Sequence, residues 1–325
     1  MAFPNDPVMP SWRCVVVKSL KSRRGHAGMV AAAIADMLAR ARVSLLGLAV
    51  GDAFGERLLD EVNPTKRVAK RLISIRRPWR WTDDTAMAIA IVEQLARAGT
   101  IDPDALATAF ATSFLRDPGR GYGLGAATVL GRITRGAAWR DEAQRLFGGR
   151  GSWGNGAAMR AAPIGAYFAP YLERVRVEAL LSAAPTHAHP DGGAGAAAVA
   201  IAAALAAMGT PRERLIAETA RHTPEGKLRD RLLRADRLGL DCDVELAGEE
   251  LGTGLDISAL DTVPFCVWVA ARHLDSFEEA IWAATSWLGD RDTLGAITGG
   301  IVACATGVDG IPLLWREATE PLPAR

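Results

Sequence analysis

Two short acidic clusters carry the most pointed chemistry in this chain. Trp81-Thr82-Asp83-Asp84-Thr85 stands directly before an apolar periodic stretch, and Gly289-Asp290-Arg291-Asp292-Thr293 stands before another near the C-terminus. Taken singly, each reads as a helix N-cap with acids in the first turn, where carboxylates meet the positive end of the helix dipole. Taken as a pair, they offer four carboxylates and threonine hydroxyls from two helix starts. If those starts face one another they form an all-oxygen cage, suited to hard cations such as Mg²⁺, Mn²⁺ or Ca²⁺ and not to zinc. Four carboxylates exceed what one Mg²⁺ ordinarily takes, which suggests two ions.

Other stretches offer polar backbone or single titratable groups. Between Phe147 and Gly156 there are five glycines in nine residues, spaced so that backbone amides can approach an anion, although neither a P-loop nor a dinucleotide fingerprint is present. Arg120-Gly121-Tyr122-Gly123-Leu124-Gly125 has the same character. Thr186-His187-Ala188-His189-Pro190 precedes an alanine-rich helix. Without a third nitrogen or sulfur ligand, its histidines suit a helix-start loop or a contact to phosphate or sugar better than a metal. Asp52 and Glu56, within Gly47–Glu56, are either buried structural polarity or a general acid or base. Seven Lys and Arg between residues 66 and 80 form a solvated face, or a collar that draws in polyanions.

The elements that must hold these groups read as helices. Helical periodicity covers 28–50, 84–98, 103–115, 173–184, 192–208, 211–222, 227–238, 263–274, 276–287 and 293–306, while strand alternation is nearly absent. No linker divides the chain, so the expectation is one compact all-α domain over residues 29–325, its connecting loops carrying the chemistry. The chain has 325 residues, 49% hydrophobic and 23% charged, enough for a large core. A formal charge of +1 argues against nucleic-acid binding driven by overall charge. The four cysteines are scattered, which excludes a disulfide framework and fits the cytoplasm. Residues 192–208 are too weakly hydrophobic for a membrane span and read as a buried helix. Residues 1–28, basic and free of acids between Asp6 and Asp36, read as an arm without fixed structure.

Together the motifs resemble the ADP-ribosylglycohydrolase family, over about residues 40–316. GLAVGDAFG (47–55), WTDDTAMA (81–88), DPGRGYGLG (117–125), GRGSWGNGAAMR (149–160), Thr186-His187, DTVPFCVWVA (261–270) and LGDRDTLGAITGGIVA (288–303) follow the family's order. The set is most like the branch that acts on serine-linked ADP-ribose. The resemblance implies an all-α fold with two Mg²⁺ ions, held by Thr82, Asp83 and Asp84 on one side and Asp290, Asp292 and Thr293 on the other. It implies a diphosphate site on Gly151, Ser152, Trp153, Gly154 and Asn155 with Gly121 and Gly123 nearby, Phe147 stacked on adenine, and His187 as a polar contact. Two positions depart from the pattern. Leu288 and Arg291 replace a glycine and a threonine of the usual GGDTDT, which puts a cation beside the metal ligands. The family's glutamate, seven residues after the Asp of GDA, falls on Leu59 here, and Glu56 is the acid assigned in its place.

The reaction implied is Mg²⁺-dependent hydrolysis of the bond between C1″ of the distal ribose and an acceptor in protein, nucleic acid or a small molecule. Asp83 or Asp84 would take a proton from the attacking water, and Glu56 would assist the acceptor. Two alternatives make different predictions: an ADP-ribose-binding protein impaired in catalysis binds without turnover, and a Mg²⁺ phosphohydrolase releases AMP.

Overall fold

A computed structural model describes residues 24–59, 64–75 and 78–323. The proposed arm therefore lies outside the described residues up to position 23; from Arg24 the chain is helical. The fold is all-α, with sixteen α-helices and no named strand among the described residues. In chain order they are α1 (Arg24–Leu59), α2 (Pro64–Ala69), α3 (Asp83–Ala98), α4 (Pro103–Arg116), α5 (Leu124–Ile133), α6 (Trp139–Gly149), α7 (Ala162–Phe168) and α8 (Leu172–Ala183). They continue with α9 (Pro190–Ala207), α10 (Arg212–His222), α11 (Lys227–Leu238), α12 (Val244–Leu251), α13 (Ala259–Arg272), α14 (Phe277–Ala284), α15 (Arg291–Thr306) and α16 (Leu313–Ala318).

The expected helices are present, with ends shifted by a few residues. The largest shift is in α1, which runs on to Leu59 past the expected 50, and α13 starts at Ala259, capped by Ser258, ahead of the expected 263. Helices α2, α5, α6, α7, α12 and α16 were not foreseen. All are short, and α5 and α6 are rich in glycine, so local propensity is weak and packing decides. The backbone leaves the helix at the end of α6: Leu146 is extended, and Phe147 and Gly148 both have positive φ.

Small residues set the spacing of the core. Gly47, Gly51 and Gly55 recur every fourth residue on α1 and lie against the backbone of α15. A β-carbon on Gly51 would overlap the carbonyl oxygen of Gly295, one on Gly47 that of Gly299, and one on Gly55 that of Arg291. The two helices are in backbone contact, closer than the usual interaxial spacing permits. Helix α9 runs through the middle. It is long and apolar enough to cross a membrane by length and composition, but every residue from Gly192 to Ala206 is buried against neighbouring helices. The same close packing recurs where Gly165 of α7 meets the backbone of Ala200.

The C-terminal segment holds the approach to the first acidic cluster. Trp79 N–H donates to Ala318 O at 2.7 Å and Glu320 N–H to Trp79 O at 2.8 Å. Arg120 binds both oxygens of Glu320 at 2.6 and 2.7 Å, donates to Trp81 O at 2.8 Å, and lies 3.6 Å over the Trp81 ring. Residues 79–85 are thus fixed from both sides before α3 begins.

The glycine crossing gives a stability test. Gly51→Ala or Gly295→Ala forces two backbones apart and should cost about 3 kcal/mol or more. Gly131→Ala, where the nearest atom to a β-carbon is 3.7 Å away on Phe114, should instead gain roughly 0.5–1 kcal/mol from helix propensity. Urea midpoints read both signs.

Candidate active site

The N-terminus of α3 is built on Asp52. This carboxylate is fully buried on α1 and accepts from Thr82 N–H at 3.0 and 3.1 Å, Thr85 N–H at 3.1 Å and both threonine hydroxyls. Burial raises its pKa to about 6, against the downward pull of those donors. Of the two readings of Asp52 and Glu56, Asp52 is structural polarity: it fixes the two threonines that flank Asp83 and Asp84. Thr82 also caps α3, accepting from Asp84 N–H at 3.4 Å. Capping and the presentation of carboxylates are thus two uses of one turn.

Asp83, Asp84, Asp290, Asp292 and Thr293 line one cleft of about 410 Å³. Burial pushes the Asp83 carboxyl up to about 7, with Asp52 and Asp290 adding repulsion and Arg160 opposing it. Asp84 and Asp292 are driven well above the ordinary carboxylate range, first by burial and then by the other aspartates. Asp84 Oδ1 is buried with no hydrogen-bond partner. A packed interior rarely leaves a carboxylate oxygen so, and several acids at one site cannot all ionise without a counter-charge. Among the described residues no three His, Cys, Asp or Glu side chains close to metal-ligand distance; the aspartates line the cleft without meeting at a point. The donor set is nonetheless all oxygen and acid-rich, which fits Mg²⁺ and does not fit a soft metal.

The second cluster is held by loops. Asp290 N–H donates to Thr253 O at 3.1 Å, and Asn155 Nδ2 donates to Asp290 Oδ2 at 2.7 Å and to Thr262 Oγ1 at 3.1 Å. Asn155 therefore spends its side chain on the aspartate and only its remaining surface faces the cleft. Arg291 does not add a cation to the cleft. It is buried, donates from Nε to Thr285 O at 3.0 Å, and is absent from the cleft lining. Glu56 is half-buried on α1 and is not among the residues that line the cleft.

Both glycine loops reach the cleft. Gly121, at φ +90°, would place a β-carbon 3.6 Å from Asp83 Oδ1, and Asp83 N–H donates to Arg120 O at 2.7 Å. Gly123 is the N-cap position before α5 and gives it no side-chain cap, with nothing within 4 Å of a β-carbon. Ser152, Trp153 and Gly154 line the opposite wall. Gly151 lies just behind it, at φ +73° against Ala188 and His189, where no larger residue fits. Phe147, 47% exposed, meets the Trp153 ring at 4.9 Å, and Arg150 covers that ring. His187 is buried at the wall beside Gly154 and Gly156, and burial keeps it neutral, its pKa pulled down to about 3. Of the basic stretch, no described residue lines the cleft: Arg71 pairs with Glu279 and Arg80 with Asp117 at 3.0 Å, while Arg76 and Arg77 lie outside the described residues.

Sequence reasoning gave no site role to several residues of the lining, among them Met87, Met159, Arg160, Asp256 and Ile257. Asp256 and Ile257 follow Gly252 and Gly254, both at positive φ, and that pair of glycines between two helices was a legible turn signal. Ile257 itself sits at φ +50°, strained for a β-branched residue, with its carbonyl accepting from Asn155 N–H.

The sequence profile of the ADP-ribosylglycohydrolase family matches residues 33–324. The chain belongs to this family. It is a hydrolase acting on glycosidic bonds of ADP-ribose. ADP-ribosylhydrolase ARH3 of Danio rerio is 33% identical, covering 87% of both chains, and that of Homo sapiens is 30% identical over 74% of both. ADP-ribosylarginine hydrolase Tri1 of Serratia proteamaculans is 26% identical over 87% of this chain and 75% of its own. A solved structure described as an ADP-ribosylglycohydrolase-related protein complex shares the fold, with a TM-score of 0.61 at 22% identity, covering 88% of this chain and 93% of the other. The all-α fold and the ARH3-like branch expected from the motifs both hold.

The raised carboxyls make stability pH-dependent. A carboxyl held above its unfolded value favours folding below that value, and the contribution is lost as pH rises through the folded one. Without metal, the melting temperature should fall as pH climbs from the ordinary 3.8 through about 7, where Asp83 titrates. A divalent cation held by the ionised carboxylates would restore it most at the high end, and magnesium is the ion to add. Asp84→Asn should flatten both the fall in EDTA and the recovery with magnesium. Scanning fluorimetry across this range, with and without EDTA, reads all three effects.

Proposed function

We propose that the protein removes ADP-ribose from an acceptor by Mg²⁺-dependent hydrolysis at C1″ of the distal ribose. The observation that carries this reading is the buried aspartate cluster with an unpartnered oxygen on Asp84, set at one end of a cleft whose other walls are glycine-rich backbone. Thr82, Asp83, Asp84, Asp290, Asp292 and Thr293 would hold the metal, as two ions. Bound there, magnesium supplies positive charge that orients the vicinal ribose hydroxyls.

The chain's own residues do the rest. The N-terminus of α5 at Gly123 suits a diphosphate, since the free N–H groups and dipole of a helix start favour an anion, and the 151–156 loop brings further backbone beside it, with its Gly151, Gly154 and Asn155 amides already donating to Leu146 O, Ser152 Oγ and Ile257 O. Phe147 and Trp153 offer aromatic surface to adenine at the cleft mouth. Asp83 or Asp84 accepts the proton of the water that attacks C1″, and the fixed carboxylates stabilise the positive charge developing on the sugar. The cleavage breaks the C1″–acceptor bond, forms a C1″–O bond to the water, and passes the water's proton through that aspartate to the departing acceptor atom, leaving ADP-ribose intact. Proton handling here needs only Asp83 and Asp84, with Glu56 outside the cleft lining.

Calorimetric titration of ADP-ribose should show binding with Mg²⁺ that is lost in EDTA. Asp83→Ala and Asp292→Ala should each lower turnover of ADP-ribosylated serine or arginine peptides, or of modified oligonucleotides, by about 10²-fold or more while the far-ultraviolet circular dichroism is kept. Full turnover in EDTA, or AMP among the products, would overturn the reading.

A further inference from the structure

Arg160 is an unusual residue to find fully buried, and the reaction as derived does not use it. Its guanidinium donates from Nη1 to Gly156 O at 2.8 Å and from Nη2 to Ser182 O and Thr186 Oγ1, both at 2.9 Å. It stacks 4.5 Å over Phe110. A guanidinium has donors only, so Thr186 Oγ1 must accept from it. The same oxygen lies 2.7 Å from His187 Nδ1. The hydroxyl has one proton, and the ring nitrogen is the partner in reach of it. Thr186 therefore donates to Nδ1, which must be the unprotonated nitrogen.

A neutral imidazole carries its one proton on the other nitrogen. His187 Nε2 is on the cleft side, 3.4 and 3.3 Å from where β-carbons of Gly154 and Gly156 would be. We propose that Arg160, acting through Thr186, is a positioning residue that locks His187 as the Nε2–H tautomer, making it a neutral donor aimed at a phosphate or sugar oxygen held by the 151–156 loop. The same guanidinium ties the Gly156 carbonyl, so one buried cation sets both the loop and the direction of the donor facing it. The ligand half of this inference rests on the function proposed above; the tautomer half does not.

The test is ¹⁵N–¹H correlation of the histidine rings in the metal-free, ligand-free protein at neutral pH. Wild type should show His187 protonated on Nε2 alone. Thr186→Val removes the relay hydroxyl with little change of shape and leaves the bonds of Arg160 to Gly156 and Ser182. It should populate the Nδ1–H form and weaken ADP-ribose binding about tenfold, with Thr186→Ser restoring both. Arg160→Lys should loosen the tautomer in the same direction where it folds. A proton on Nδ1 in wild type, or an unchanged tautomer in Thr186→Val, would overturn the lock. A changed tautomer with unchanged ADP-ribose affinity would overturn the donor role. Failure of wild type to bind ADP-ribose at all would count against the proposed function and leave the lock standing.

Discussion

The backbone contact between α1 and α15 is the constraint on which the site depends. Glycines on both helices remove the side chains that would hold the axes apart, and three successive turns are in register. One residue beyond Gly51 on α1 is Asp52, which binds Thr82 and Thr85 and so fixes the start of α3. At the start of α15, beside Gly55, are Asp290 and Asp292. The distance between the two acid-bearing helix starts is therefore set by a contact that has no chemistry of its own. A single methyl group at the crossing would move one cluster relative to the other.

Burial of so many acids is electrostatically costly, and the fold meets that cost only in part. Asp52 is compensated by four donor groups and Asp290 by Asn155, whereas Asp84 keeps an oxygen without a partner. The helix dipoles at α3 and α15 favour negative charge, but each is worth a fraction of a full charge. Arg160 approaches from below and is itself pulled down to about 9 by burial. The remainder of that cost is unmet by any group of the protein at Asp84. Hydrogen-bonded acids serve as scaffold here, and under-satisfied acids mark the reactive end.

The other walls work by absence of side chains. Gly151 sits where a β-carbon would meet Ala188 and His189, and Gly192 where one would meet Ser152 O. These contacts press the 151–156 loop onto the start of α9 and bring His187 to its edge. Ile257 stays at positive φ because its carbonyl receives Asn155 N–H and its neighbours are pinned by Gly254 and Asp261. A loop that exposes backbone to a ligand thus has its shape dictated by the elements behind it.

Much of this was legible from residue order. The helical class followed from periodicity, and the acid pairs, glycine loops and Thr186-His187 stood out because they occur together and in the order of one family, each alone being open to an ordinary helix-cap or loop reading. Long amphipathic helices such as α3 and α4 declare themselves through 3.6-residue spacing and caps, while short ones such as α7 and α12 exist because neighbours bury them. Partner choice was not legible. Arg291 follows Asp290 yet turns to Thr285 O, because one residue along a helix turns a side chain by about 100°, and Glu56, one turn beyond Asp52, is like it absent from the cleft lining. Arg160 and Asp52 look like ordinary charged residues until the fold places them under the site. Spacing along the chain reports which groups share a turn, whereas burial and the partners of each polar atom arise from contacts between residues far apart in sequence.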